Sequence, residues 1–181
     1  MIIGLDISTS CTGWCVLEDS GSFVDMGYIP LTKCKSTYIK ARKVADELSK
    51  IHIGHDIDKV FIEENLQAFR PGLSSAKTLL TLARFNGIIS YICKRDLGLD
   101  PEFINVNIAR KTLGFKINRS SSFTTKEQIF EWVDSSVDFK WPTKVLKSGP
   151  RKGIEILAPG CYDMADAYVI ARAGIEIFIN I

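Results

Sequence analysis

Apolar residues in this chain fall first into short runs and later into helical spacings. Ile2, Ile3, Leu5 and Ile7 fill 2–8, long enough for one buried strand. A second strand is predicted over 13–18 (GWCVLE) and a third over 23–31. The small polar turn between the first two contains Gly13, to which we assign the backbone freedom of the turn. The turns before the second and third strands are short, which predicts an antiparallel meander. Over 36–51 the spacing becomes helical, with Tyr38, Ala41, Val44, Ala45 and Leu48 on one face and Ser36 or Thr37 as cap. Residues 58–64 (DKVFIEE) have a wholly apolar centre, the mark of a strand buried on both faces.

A long helix is predicted over 74–95, opened by Ser74 or Ser75, with Leu79, Leu82, Ala83, Ile89 and Ile92 among its apolar positions. A fifth strand follows at 102–107, then short helices at 107–113 and 124–135. The second of these opens on Thr124-Thr125-Lys126-Glu127, the pattern of a capping box. A last helix covers 161–176. The fold class is therefore α/β, a mixed five-stranded sheet with helices on both faces. We expect one domain over 1–181. The stretch 137–160, with three prolines and three glycines, is too long for a bare connection and is expected to be functional or mobile.

Composition changes this picture little. The chain has 181 residues, 46% hydrophobic and 24% charged, with a net charge of +2, so bulk charge does not announce a nucleic-acid binder. Lys140, Lys144, Lys147, Arg151 and Lys152 nevertheless form a basic segment within 137–160. Five cysteines without metal spacing predict reduced thiols in a cytoplasmic compartment. No run is long enough to span a membrane.

The chemistry lies in the acids. Asp6 ends one buried strand and Glu63 ends another, where an unpaired carboxylate is costly. Asp163 and Asp166 are three apart at the start of the last helix, on one face and within its first turn. Strand neighbours point to opposite faces, so only one of Glu63 and Glu64 can join them; we choose Glu63. Such a cluster suits hard divalent cations, Mg²⁺ with Mn²⁺ as substitute, two per site, and phosphodiester hydrolysis.

These motifs resemble those of the RuvC-like Holliday-junction resolvases of the RNase H-like superfamily, and most closely the phage-type members. The matching elements are GLDIST followed by T-G-W, the I-E ending a later strand, and D-M-A-D-A opening the last helix. The resemblance implies an endonuclease that nicks four-way DNA junctions symmetrically as a homodimer, and it implies Asp6, Glu63, Asp163 and Asp166 as metal ligands. It also implies catalytic lysines ahead of the last helix. Lys126 matches one such position; Lys111 stands at a second, for which Arg110 competes. The segment between Lys126 and Asp163 is longer here than the family pattern, and the excess holds the basic stretch.

Around an acidic site, cations must offset the repulsion of phosphate. Candidates for DNA contact are Phe69, Arg70, Lys77, Arg110, Lys116 and Arg119, with Lys140, Lys144, Lys147, Arg151 and Lys152 clamping a DNA arm. Phe69 could stack on an opened base, and Trp141 could stack or anchor its loop. The helix at 74–95 is a candidate dimer interface. We expect no nucleotide cofactor and no membrane partner. Two other readings compete: an actin-like or sugar-kinase-type ATPase, since IIGLDISTS also suits a phosphate-binding strand, and a non-catalytic scaffold that binds branched DNA.

Overall fold

The computed structural model describes residues 1–64 and 75–180. Three strands open the chain: β1 (Ile2–Ile7), β2 (Cys11–Leu17) and β3 (Phe23–Pro30). Helix α1 (Thr37–His55) precedes β4 (Lys59–Glu63), and α2 (Ala76–Leu97) precedes β5 (Pro101–Ile104). Then come α3 (Val106–Thr112), α4 (Thr125–Asp134), a hairpin of β6 (Thr143–Val145) and β7 (Glu155–Leu157), and α5 (Cys161–Phe178).

The main sheet runs β3-β2-β1-β4-β5. β1 to β3 pair antiparallel, and β4 and β5 add parallel strands beside β1. This is the mixed sheet expected from the meander and the apolar centre of β4. Helix α5 packs across one face with α3 and α4 outside it, while α1 and α2 pair on the other. Strand alternation divides the core accordingly. Ile2, Cys15 and Phe61 join the α5 side, and Ile3, Leu5, Ile7, Val60 and Ile62 join the α1–α2 side.

Local chemistry explains the helix starts. Ser36 and Ser75 accept hydrogen bonds from the third residues of α1 and α2. Thr124 and Glu127 form the full capping box of α4. The face of α1 differs from the expected one at its start: Ala41, Val44, Leu48 and Ile51 are buried, whereas Tyr38 is 80% exposed. Tyr38 lies in the first turn of the helix.

Gly13 also departs from expectation. β2 begins two residues earlier than its apolar run suggests, so Gly13 lies inside the strand, paired with Asp6. The turn is made instead by Ser8, whose hydroxyl accepts from the Cys11 N–H at 3.1 Å and donates to its carbonyl at 2.8 Å. What Gly13 supplies is space. A Cβ there would collide with the backbone carbonyl of Asp163 and stand 2.8 Å from the Met164 nitrogen. Its bare backbone lets the first turn of α5 rest on the sheet beside Asp6.

Residues 137–160 carry the β6–β7 hairpin. Trp141 anchors it. Its indole N–H donates to Asp134 at 2.7 Å, and its ring lies 4.6 Å from that of Phe130.

Candidate active site

Strand parity and register assemble the acids. Asp6 has the parity of Ile2 and Gly4 on β1, and Glu63 has the parity of Phe61 on β4, so both side chains face α5. The parallel register sets Gly4 beside Phe61 and Leu5 beside Ile62. One step further brings Asp6 level with Glu63 at the ends of adjacent strands. Asp163 comes down over Gly13, across the ladder from Asp6. Asp166 follows one turn later on the same face of α5. It belongs to the second turn, not the first, because α5 begins at Cys161.

Electrostatics shows how close the four are. Burial, followed by the charges of Glu63, Asp166 and Asp163, pushes the Asp6 carboxyl well above its usual range. Burial and the charge of Asp166 raise Glu63 to about 7. Asp166 is raised to about 6, by burial foremost. Two cations partly relieve the crowding. Lys126 extends its ammonium from the first turn of α4 to 3.9 Å from Asp163 and 4.0 Å from Asp166. Arg110 on α3 pulls down the values of Glu63 and Asp166, and its Nε is buried without a hydrogen-bond partner among the described residues. A cleft of about 200 Å³ opens beside Asp6, Ser8, Glu63 and Glu64, with Leu79 and Leu82 of α2 along its wall.

Glu64 is drawn the other way: its side chain accepts from Asn105 at 3.4 Å, and its backbone N–H bonds Ile104. Cys11 was not among the candidates, yet its thiol hydrogen-bonds Asp163, and burial with that nearby carboxylate pushes its pKa up. Nothing in its sequence surroundings marks it. Only the parity it shares with Gly13 could have placed it there.

No family model matches the chain, and no curated protein does. Solved structures do. Thermus thermophilus RuvC in complex with a Holliday junction substrate superposes with a TM-score of 0.62 at 12% identity, covering 97% of this chain and 92% of that one. Thermus thermophilus RuvC alone gives 0.60 at 14% identity, over 97% and 93%. The yeast mitochondrial Holliday junction resolvase Ydc2 gives 0.54 at 14%, over 97% and 77%.

The chain has the RuvC fold.

On this RuvC fold the remaining described candidates lie on the surface. Lys111 and Lys116 line a second cleft, of about 310 Å³, with Arg110 and Asn107. Of the cations on α3, Arg110 is the one that acts on the acids, and Lys111 is exposed beside it. Lys77 is exposed in the first turn of α2, and Arg119 on the α3–α4 connection. Lys140, Lys144, Lys147, Arg151 and Lys152 are all exposed on or beside the hairpin. Phe69 and Arg70 lie outside the described residues. All five cysteines are free thiols. Among the described residues no helix is long and apolar enough to cross a membrane.

The donor set can be tested against a divalent cation. The converging groups are hard carboxylate oxygens whose proton affinity is raised by burial foremost and then by one another's charge. Among the described residues no group of three or more His, Cys, Asp or Glu side chains is placed to hold a metal ion by itself. Mg²⁺ asks for less: one or two carboxylates, several waters and the phosphates of a substrate. An open acidic cleft fits that requirement.

Proposed function

We propose that this protein is a metal-dependent endonuclease that nicks four-way DNA junctions, with Asp6, Glu63, Asp163 and Asp166 holding two Mg²⁺ or Mn²⁺ ions. The observation that carries this reading is the convergence of these acids on one face, with Lys126 between the two of α5. When bound, two divalent cations would supply a nucleophilic water and offset charge on the departing oxygen.

The chain's own residues do the rest. Glu63 is half-protonated at about pH 7 and Asp166 at about pH 6, so cation binding displaces protons in that range and strengthens as pH rises through it. Lys126 and Arg110 offset the repulsion among the carboxylates and offer positive charge to a phosphate entering the cleft. Lys111, Lys116, Arg119 and Lys77 extend that positive surface for DNA. The likeness to RuvC in complex with a Holliday junction substrate supports a branched substrate. A two-fold symmetric junction is best met by a homodimer with one site per nick. The first half of α2 suits the interface, because Leu80 is 69% exposed beside the half-buried Leu79 and Leu82.

A cleavage panel with Mg²⁺ tests the reading: four-way junction, flap, RNA–DNA hybrid and plain duplex, each end-labelled. Junction nicking far above the other three supports it. Preference for the hybrid or the flap would reassign the substrate. Binding of the junction with no cleavage in Mg²⁺ or Mn²⁺ would favour a scaffold, and calorimetric binding of ATP would favour the kinase-type alternative.

A further inference from the structure

The connection between α4 and α5 carries a finger. β6 and β7 pair with Thr143 opposite Leu157, Lys144 opposite Ile156 and Val145 opposite Glu155. The pairing continues outward: Leu146 N–H donates to the Ile154 carbonyl at 3.0 Å and Gly153 N–H to the Leu146 carbonyl at 2.8 Å. Gly149 and Gly153 turn the tip at φ of 80° and 87°. The base is pinned. The carbonyl of Pro142 accepts both the Ala158 N–H at 2.8 Å and the Cys161 thiol at 3.3 Å. Cys161 is the first residue of α5, two before Asp163. The finger therefore grows from the same turn that places a site carboxylate.

Its surface is of two kinds. Lys144, Lys147, Arg151 and Lys152 are exposed, and the one acid of the two strands, Glu155, is hydrogen-bonded by Thr143. Between these cations, Val145 is 55% exposed and Ile154 48%. Cations alone would suffice to grip phosphates. Val145, opposite Glu155, and Ile154, opposite Leu146, face the two sides of the hairpin, which suits a wedge set between two surfaces. Paired duplex offers phosphates but few open base faces. A branch point offers both, because bases there unstack readily and accept apolar wedges.

We propose that the β6–β7 finger enters the branch point of the DNA, with its cations on the phosphates and Val145 and Ile154 against unstacked bases. This rests on the nuclease reading above and adds to it where the DNA is opened.

The test uses the full chain and a version in which residues 146–154 are replaced by Asn-Gly, a two-residue turn that suits the Val145–Glu155 pair. Binding is measured in Ca²⁺ on a four-way junction carrying 2-aminopurine at the branch point, and on plain duplex. The full chain should raise the 2-aminopurine fluorescence. The shortened chain should give no rise and bind the junction about tenfold more weakly, with duplex affinity changed about threefold at most. A V145S/I154S variant, which keeps every cation, should lose the fluorescence rise but keep the slope of log affinity against log salt. A K147A/R151A/K152A variant should lower that slope by about 0.9 for each phosphate released. Unchanged fluorescence in both the shortened chain and V145S/I154S overturns the inference while leaving the nuclease reading intact. A full chain that neither binds nor cuts any branched DNA overturns both.

Discussion

Crowding of the acids sets what single residues should do. Glu63 has an ordinary value of 4.5 and a folded value of about 7. Between those values the folded protein binds more protons than the unfolded chain, so stability falls as pH rises through that window and levels off above it. The Glu63 share is about 3 kcal/mol, and Asp6 and Asp166 act in the same direction. Metal-free protein should therefore melt at a lower temperature at pH 8 than at pH 5.5, and millimolar Mg²⁺ should recover much of the difference. Thermal scans at both pH values, with EDTA or Mg²⁺, check this. E63Q should raise the metal-free melting temperature at pH 8 and abolish the response to Mg²⁺. Gly13 makes a second test. G13V should cost about 1–3 kcal/mol in denaturant unfolding and weaken metal binding too, because the added carbons displace the Asp163 turn.

At the scale of elements, α4 holds Lys126 on the acids through its first turn. T124A breaks the capping box and should cost about 1 kcal/mol. If that turn positions Lys126, the same variant should lower cleavage rate more than junction affinity. The main elements were legible in the sequence because each carried one clean period: a short apolar run for β1 and β4, and a three- and four-residue spacing for α1 and α2. Parity was legible as well. Alternation favours Glu63 over Glu64; the charges of Asp166 and Asp163 act on Glu63, while Glu64 accepts from Asn105 and borders the same cleft.

What stayed hidden was long-range or too short to have a period. Gly13 read as a turn residue because its role depends on a helix arriving 150 residues later. Each strand of the β6–β7 hairpin has three residues, below the length at which alternation shows. Cys11 and Arg110 reach the acids only through the fold, so spacing could not rank Arg110 above Lys111. Tyr38 followed the helical spacing, yet in the first turn of α1 it is exposed.

For the whole molecule, sheet order decides the chemistry. Placing β1 at the centre, between β2 and β4, sets the ends of two strands side by side under the start of α5. Asp6 and Glu63 then line one cleft, and the charges of Asp163 and Asp166 act on both. The account predicts a nuclease built around that cleft, and one measurement tests it most directly. A four-way junction labelled on each strand is incubated with the wild-type chain or D166N, in Mg²⁺ and in Mn²⁺. Paired nicks at symmetric positions by the wild type, with D166N binding the junction as tightly but leaving it uncut, are the result predicted. An intact junction after incubation of the wild type with either metal, or equal cutting by D166N, would contradict it.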